Sequence, residues 1–365
     1  MGQTPPPFGG QAVMIENMLR GNYSKLELLY VRMSFSKEMD QIGKFKLAKI
    51  LHLIATITRI YWHRLSNKIS VLYYPPAGPD KIPMYRDMVL LICCRWLFPR
   101  TVFHFHAGGL TDLYSTLSPT MRYFFRKAYY HPDASIMLSS LNPEDGQKLQ
   151  SRKTLVIPYG IKDHYSQPAP TRRDSPQHIL FVGVLQESKG VLILIEALSR
   201  MQQNGIDFTA NLVGKFQSEQ FRIQVNQLIA EYGLEDRVSF PGVLLGEEKW
   251  QQFSQANIFC YPTFFESETF GLVVLEAMQH KLPCVVTNWR GVPSLVRDGE
   301  SGFIVPTNNA IALADKITVL CEDSELARSM GENARADYLA SYSEDMFISQ
   351  IENALLEVAH DSTDN

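Results

Sequence analysis

The stretch FFESETFGLVVLEAM, residues 264–278, places two acidic side chains, Glu268 and Glu276, eight positions apart around the apolar run FGLVVL. Gly271 stands where a helix could begin, so one carboxylate precedes that helix and the other lies inside it. An ordinary solvated helix face with an acidic start, favoured by the helix dipole, accounts for either residue alone. A ligand with hydroxyl groups at both ends and negative charge in its middle accounts for both. The rest of the chain decides between them.

Two further stretches have the composition of a phosphate site. In GVLQESKGVLILIEAL (183–198) a loop leads from an apolar run to Lys189-Gly190 and then to a helical pattern. A lysine there can reach a phosphate arriving at the helix start, although a lone Lys-Gly at that position is commonly just solvated. FGGQAVMIENML (8–19) is a turn through Gly9 and Gly10 running into an amphipathic helix, which lets backbone approach an anion closely. Neither G-x-x-x-x-G-K-[ST] nor G-x-G-x-x-G occurs, so a P-loop and a dinucleotide fingerprint are excluded. His104 and His106 end the run TVFHFHAGG, and alternation puts them on one face. Each is read either as a hydrogen-bonded core histidine or as a cleft-lining one. No H-E-x-x-H, Cys-x-x-Cys or Asp-x-Asp is present, so no metal is expected.

These residues need elements to hold them. Short β-branched runs recur at 68–74, 101–107, 134–140, 153–160, 178–185, 208–214, 237–243, 257–263, 283–288 and 302–306. Helical patterns fall between them, among them 190–203, 218–232, 246–255, 271–280 and 309–321. Such alternation predicts parallel sheets covered by helices on both faces. The polar segment HYSQPAPTRRDSPQH (164–178), with three prolines, reads as a linker. The length of 365 residues suits two domains. The expected architecture is therefore α/β, with two doubly wound Rossmann-like domains facing across a cleft, where ligands bind beyond the carboxyl ends of the strands. A doubly wound domain begins with a strand, yet this chain starts almost inside the loop TPPPFGGQ (4–11), so either the sequence is truncated at its start or the first sheet lacks its expected strand.

Charge separates the halves. Residues 1–165 hold 21 Lys+Arg against 11 Asp+Glu, and the remainder holds 14 against 27, within an overall net charge of −3. The basic half includes KFKLAKILHLIATITRIYWHRLSNK (44–68), read either as a surface helix packed on its own sheet or as a face attracted to anionic lipid or a phosphorylated acceptor. No recognition motif for nucleic acid accompanies the charge. Five cysteines without metal spacing, no secretory signal and no apolar run long enough to span a bilayer predict a cytoplasmic protein.

In order, the GG loop, IPYGI, LFVG…SKG…LIEAL, LVGK, VSFPGVL and ESETFGLVVLEAM…PCVVTNWRGVPSLVRDGESGFIVP resemble glycosyltransferase family 4, retaining enzymes of the GT-B fold. The match is dense over 155–310 and thinner over 8–20 and 101–163. The resemblance implies an N-terminal acceptor-binding domain (1–165), a C-terminal nucleotide-sugar-binding domain (166–342), and a C-terminal helix (343–365) returning to the first. It implies that Glu276 binds ribose hydroxyls, Glu268 lies beside the donor hexose, and Lys189 neutralises the diphosphate. Amides of Phe270, Gly271 and Leu272 would contact sugar and diphosphate, backbone near Val243 and Leu244 would hold the base, and Gly9, Gly10 and His106 would close the site from the other domain. Eight residues span about 12 Å if fully helical, a reach suited to a sugar at each end of a diphosphate.

The chain departs from the family pattern at Val184, where Arg is common, and at Tyr159, Thr269 and Ser294, where Asn, Gly and Glu are common. The implied activity is transfer of a hexosyl unit from a nucleotide-diphosphate sugar to a hydroxyl of a lipid-linked or phosphorylated glycan acceptor. It needs no metal or other cofactor and belongs in bacterial surface polysaccharide or glycolipid synthesis, on the inner face of the cytoplasmic membrane. The alternatives are a nucleotide-sugar 2-epimerase of the same fold and a non-catalytic nucleotide-sugar-binding protein. A phosphorylase would need a pyridoxal-phosphate lysine context that the chain does not show.

Overall fold

The computed structural model describes residues 1–5, 9–33, 47–165 and 177–361. Most of the expected linker 164–178 lies outside them, as do Phe8 of the glycine loop and Lys44 and Lys46 of the basic segment. The chain divides into two compact units, one of Met1–Gly160 with Glu344–Asn365, the other of Ile161–Ser343. The divisions fall at 160/161 and 343/344, against the sequence expectations of 165/166 and 342/343.

The first unit contains α1 (Gly10–Arg20), α2 (Leu47–Ser66), β1 (Val71–Tyr74), α3 (Lys81–Cys94), β2 (Arg100–His104), α4 (Pro119–Tyr129), β3 (Ala134–Met137), the single turn α5 (Asp145–Lys148) and β4 (Lys153–Val156). The four strands form a parallel sheet in the order β1-β2-β3-β4. Its core is aromatic: Tyr74, Phe103, Phe105, Phe125 and Tyr129 are fully buried and packed with Met84 and Leu91. Ser118 opens α4 by accepting the backbone N–H of Met121, with Pro119 at the first helical position.

The second unit runs β5 (Gln177–Val182), α6 (Val191–Gln203), β6 (Phe208–Val213), α7 (Glu219–Tyr232), β7 (Val238–Gly242), α8 (Gly246–Gln255), β8 (Ile258–Tyr261), α9 (Leu272–Gln279), β9 (Cys284–Thr287), β10 (Gly302–Val305), α10 (Ala310–Glu322) and α11 (Ser324–Ser341). The last helix, α12 (Glu344–His360), belongs to the first unit. The central strands are buried on both faces, as helices on both sides of a parallel sheet require. The strand order is β10-β9-β8-β5-β6-β7, all parallel. From β5 the chain winds outward through β6 and β7, then returns to the other side of β5 for β8 to β10. The loops leaving β5 and β8 therefore part in opposite directions and open a crevice at their carboxyl ends.

Each of the ten strand segments read from the sequence contains a strand, and the five expected helices of the second unit appear within one residue at either end. Both units are Rossmann-like parallel α/β layers, as expected. Among the described residues no helix is long and apolar enough to cross a membrane.

Candidate functional site

The crevice between β5 and β8 receives two loops. After β5 the chain passes through a 3-10 turn at Glu187–Lys189 and enters α6 at Gly190, whose φ of 77° suits glycine. A Cβ at Gly190 would stand 2.1 Å from the carbonyl oxygen of Pro262, so the lack of a side chain lets the two loops touch. The loop after β8 is fastened there: Phe264 N–H donates to the Ser188 carbonyl at 2.8 Å, Thr287 Oγ1 to the Thr263 carbonyl, and Trp289 Nε1 to the Phe265 carbonyl at 2.8 Å.

This apposition brings Lys189 and Glu268 together. Lys189 Nζ lies 2.5 Å from Glu268 Oε2 and donates to the Tyr261 hydroxyl at 2.9 Å, while Tyr261 donates to the same carboxylate oxygen at 2.6 Å. The ammonium also stands 4.7 Å from the centre of the Phe265 ring. The two charged side chains are 14% and 11% exposed, so the pair is largely desolvated. Burial works against the charge on Lys189, but Glu268 and Tyr261 overcome it and hold the ammonium above its ordinary pKa. Burial likewise pushes Glu268 up, and Lys189, Tyr261 and the Phe270 backbone N–H bring it below its ordinary value. Both groups are charged at neutral pH.

Gly271, with φ of 89°, reverses the chain ahead of α9 and serves as its N-cap residue. Glu268 therefore lies in the turn before the helix, so the interval to Glu276 is not helical throughout as the 12 Å span assumed. Glu276 projects from α9 and pairs with Lys249 of α8 at 2.5 Å, with side chains 13% and 19% exposed. Its other oxygen, Oε2, is buried and has no hydrogen-bond partner among the described residues. A buried acceptor left open costs free energy unless a donor arrives to fill it. Leu272 opens α9 and is half-buried, and Phe270 is buried. Val243 and Leu244 follow β7, Val243 exposed and Leu244 half-buried. Val184, where the family pattern has Arg, is exposed in the loop after β5.

In the first unit His104 and His106 do share a face, their rings stacked with centroids 4.2 Å apart. Both are buried. Tyr73 bridges them through its hydroxyl, 2.7 Å from His104 Nδ1 and 3.3 Å from His106 Nε2, and His106 Nδ1 bonds to the Tyr159 hydroxyl. Burial lowers the His106 pKa to about 3, which keeps the imidazole neutral. Gly9 is the N-cap of α1 and Gly10 its first residue.

Sequence reasoning did not single out Tyr261 or Lys249. Tyr261 ends an apolar strand and Lys249 sits in the polar start of α8, so neither stands inside a recognisable motif. Among the described residues no group of three or more His, Cys, Asp or Glu side chains could hold a metal ion.

Residues 166–337 match the family model of the glycosyl transferases group 1. The chain is 24% identical to N-acetyl-alpha-D-glucosaminyl L-malate synthase of Bacillus anthracis over 83% of this chain and 85% of that protein. It is 28% identical to the putative colanic acid biosynthesis glycosyltransferase WcaL of Escherichia coli K12, spanning 61% of this chain and 55% of that one. Among solved structures it resembles Anabaena Alr3699/HepE in complex with UDP, with a TM-score of 0.67, 21% identity and coverage of 83% and 82% of the two chains. The last comparison shows the fold. The family match and the relatives support a glycosyltransferase.

Proposed function

We propose that the protein is a retaining hexosyltransferase that moves a hexosyl unit from a nucleotide-diphosphate sugar to an acceptor hydroxyl. The observation that carries this reading is the Lys189–Glu268–Tyr261 cluster at the carboxyl ends of β5 and β8, where the strand order reverses. A diphosphate at the start of α9 would meet the positive end of a helix and the Lys189 ammonium. Glu276 Oε2 would accept a ribose hydroxyl, which fills the open acceptor. Glu268 would stand beside the hexose, with the Phe270, Gly271 and Leu272 backbone around sugar and diphosphate and the base at Val243 and Leu244.

As the bond from the anomeric carbon to the diphosphate breaks, the acceptor oxygen bonds to the same face through an oxocarbenium-like state. The acceptor proton leaves with the diphosphate. Lys189 stabilises the departing charge, and one well-placed donor of this kind contributes roughly 3 kcal/mol. Glu268 acts electrostatically and by position. With helix start and lysine sharing the diphosphate charge, transfer proceeds without a metal. Gly9, Gly10 and His106 are assigned to the first unit's share of the reaction, which includes the acceptor.

The acceptor is proposed to be a lipid-linked or phosphorylated glycan, held at the cytoplasmic face of a membrane during surface polysaccharide or glycolipid synthesis. Supporting this, α2 is apolar on two sides. Leu53, Ile57 and Tyr61 pack against the core, while Leu51, Ile54, Trp62 and Leu65 face solvent, with Arg59 and Lys68 beside them. Nearby in the chain, α3 and the turn after it expose Val89 and Trp96. The deciding experiment incubates the protein with UDP-, GDP-, ADP- and dTDP-sugars and a lipid-linked acceptor, with and without chelator. Transfer with retained anomeric configuration and no loss under chelation is expected. Epimerised donor, binding without turnover, or strict metal dependence would each overturn part of the reading.

A further inference from the structure

The loop after β9 carries a cation, Arg290, with no counter-ion among the described residues. Just ahead of it, the Trp289 indole N–H donates to the Phe265 carbonyl at 2.8 Å. That carbonyl also accepts the Glu268 N–H at 3.0 Å. One oxygen thus ties the β9 loop to the turn that presents Glu268. The Arg290 guanidinium carbon stands 5.6 Å from the centre of the Trp289 ring, within cation–π range. The loop is braced beyond it: Val292 N–H donates to the Trp289 carbonyl at 3.1 Å, and Ser294 Oγ to the Gly291 carbonyl at 2.6 Å.

Arg290 is held there against its own preferences. Its φ of 48° is left-handed, a conformation that long side chains rarely adopt and glycine takes freely. Such strain gathers at ligand-binding sites. The residue is half-buried, and its Nε–H is buried without a hydrogen-bond partner among the described residues. A buried donor left open costs free energy until an acceptor fills it. Residues 288–296 hold no acid, and Glu266 in the neighbouring turn is exposed and forms no ion pair with Arg290. The other cations of the crevice are already matched, Lys189 by Glu268 and Lys249 by Glu276, each at 2.5 Å. Arg290 is therefore left to an anion that arrives with a ligand.

We propose that Arg290 selects a donor whose hexosyl unit carries a carboxylate, a nucleotide-diphosphate hexuronic acid. The inference rests on the donor placement proposed above. Strand order says which part of that donor meets the arginine. Loops leave the carboxyl ends of the strands in the order β7, β6, β5, β8, β9, spaced by about 4.8 Å per strand. The base is assigned to Val243 and Leu244 after β7, the diphosphate to Lys189 after β5, and the hexose to Glu268 after β8. Arg290, after β9, then lies past the hexose on the side away from the base. A guanidinium offers paired N–H groups in one plane, which match the two oxygens of a carboxylate, and the Trp289 ring steadies that plane. A neutral hexose would leave both the charge and the buried N–H unanswered.

The test is calorimetric binding to the parent chain and to Arg290→Gln, Arg290→Lys and Arg290→Gly. The base is first chosen from UDP, GDP, ADP and dTDP by their own binding. Dissociation constants are then measured for that nucleoside diphosphate and for its glucose, glucuronate, mannose and mannuronate esters. The parent should hold one hexuronate at least tenfold tighter than the matching hexose. Arg290→Gln should erase that preference by weakening the hexuronate alone, and Arg290→Lys should keep only part of it. Arg290→Gly should erase it without lowering the melting temperature, since glycine relieves the left-handed backbone. Equal affinity for hexuronate and hexose in the parent would overturn the proposal and leave the donor site standing. An equal loss of nucleoside diphosphate binding in Arg290→Gln would also overturn it and give the arginine to the diphosphate. Binding of no nucleotide or nucleotide sugar at all would overturn the donor site together with it.

Discussion

Lys189 and Glu268 are each other's counter-ion before any ligand arrives, which the sequence did not reveal because 79 positions separate them. Breaking a desolvated pair by removing one partner leaves the other charge buried, at a cost of about 3–5 kcal/mol. Lys189→Ala should therefore lower the urea midpoint as well as turnover, whereas the double change Lys189→Met with Glu268→Gln should regain most of the stability and none of the turnover. If Lys189→Ala unfolded like the parent protein, the pair would be solvated in solution. Glu276→Ala should instead weaken nucleoside diphosphate binding with a smaller effect on turnover, because ribose contacts are alike in ground and transition states. Equal binding by the variant would remove Glu276 from the donor site. His106 adds a pH dependence. Its pKa of about 3 in the folded protein lies below the unfolded value near 6.5. Only the unfolded chain takes up that proton as pH falls between these limits. Stability should thus be complete above pH 6.5 and drop toward pH 3 at up to about 1.4 kcal/mol per unit for this one group. Urea titrations at several pH values check the slope, and His106→Phe should reduce it. His104, stacked on it and also held neutral by burial, contributes in the same direction, while burial keeps the facing Tyr73 hydroxyl protonated.

At the scale of elements, Gly190 is the point where the loops after β5 and β8 meet. Gly190→Ala would press a methyl group into the Pro262 carbonyl and strain a left-handed backbone. The expected result is loss of transfer by tenfold or more with a lower melting temperature, whereas Gly205→Ala, at a similar φ with open space around it, should cost stability alone. Equal activity losses in the two variants would dissociate the loop contact from function. The elements themselves were legible: runs such as NIFCYPT and PCVVTN announced strands, and the helices of the second unit followed from apolar periodicity. Their lateral order was not. Nothing local in β8 says that it returns to lie beside β5, because that neighbourhood is set by which helical faces are buried. For the same reason Glu268 and Glu276 were legible as a spaced pair, while Tyr261 and Lys249 became visible only once the sheet and α8 were assembled.

At the scale of the molecule, the excess of basic residues in the first half meets an apolar surface on α2. Each lysine or arginine near an anionic surface contributes about 1 kcal/mol, so a few suffice for reversible attachment. Sedimentation with anionic vesicles should decrease with salt, and Leu51→Gln with Trp62→Gln should reduce it severalfold. Indifference to both would favour an acceptor free in solution. The path of the chain has a separate consequence. The second unit is one continuous segment, but the first is closed by α12, whose Phe347 packs near His104 and Tyr159. On the ribosome, where chains emerge at roughly 5–20 residues per second, residues 161–343 can fold as soon as they appear. The unit made first must wait for the last helix, so maturation runs opposite to the direction of synthesis. An early stop codon anywhere in α12 would spare the later-made unit and leave the earlier one open.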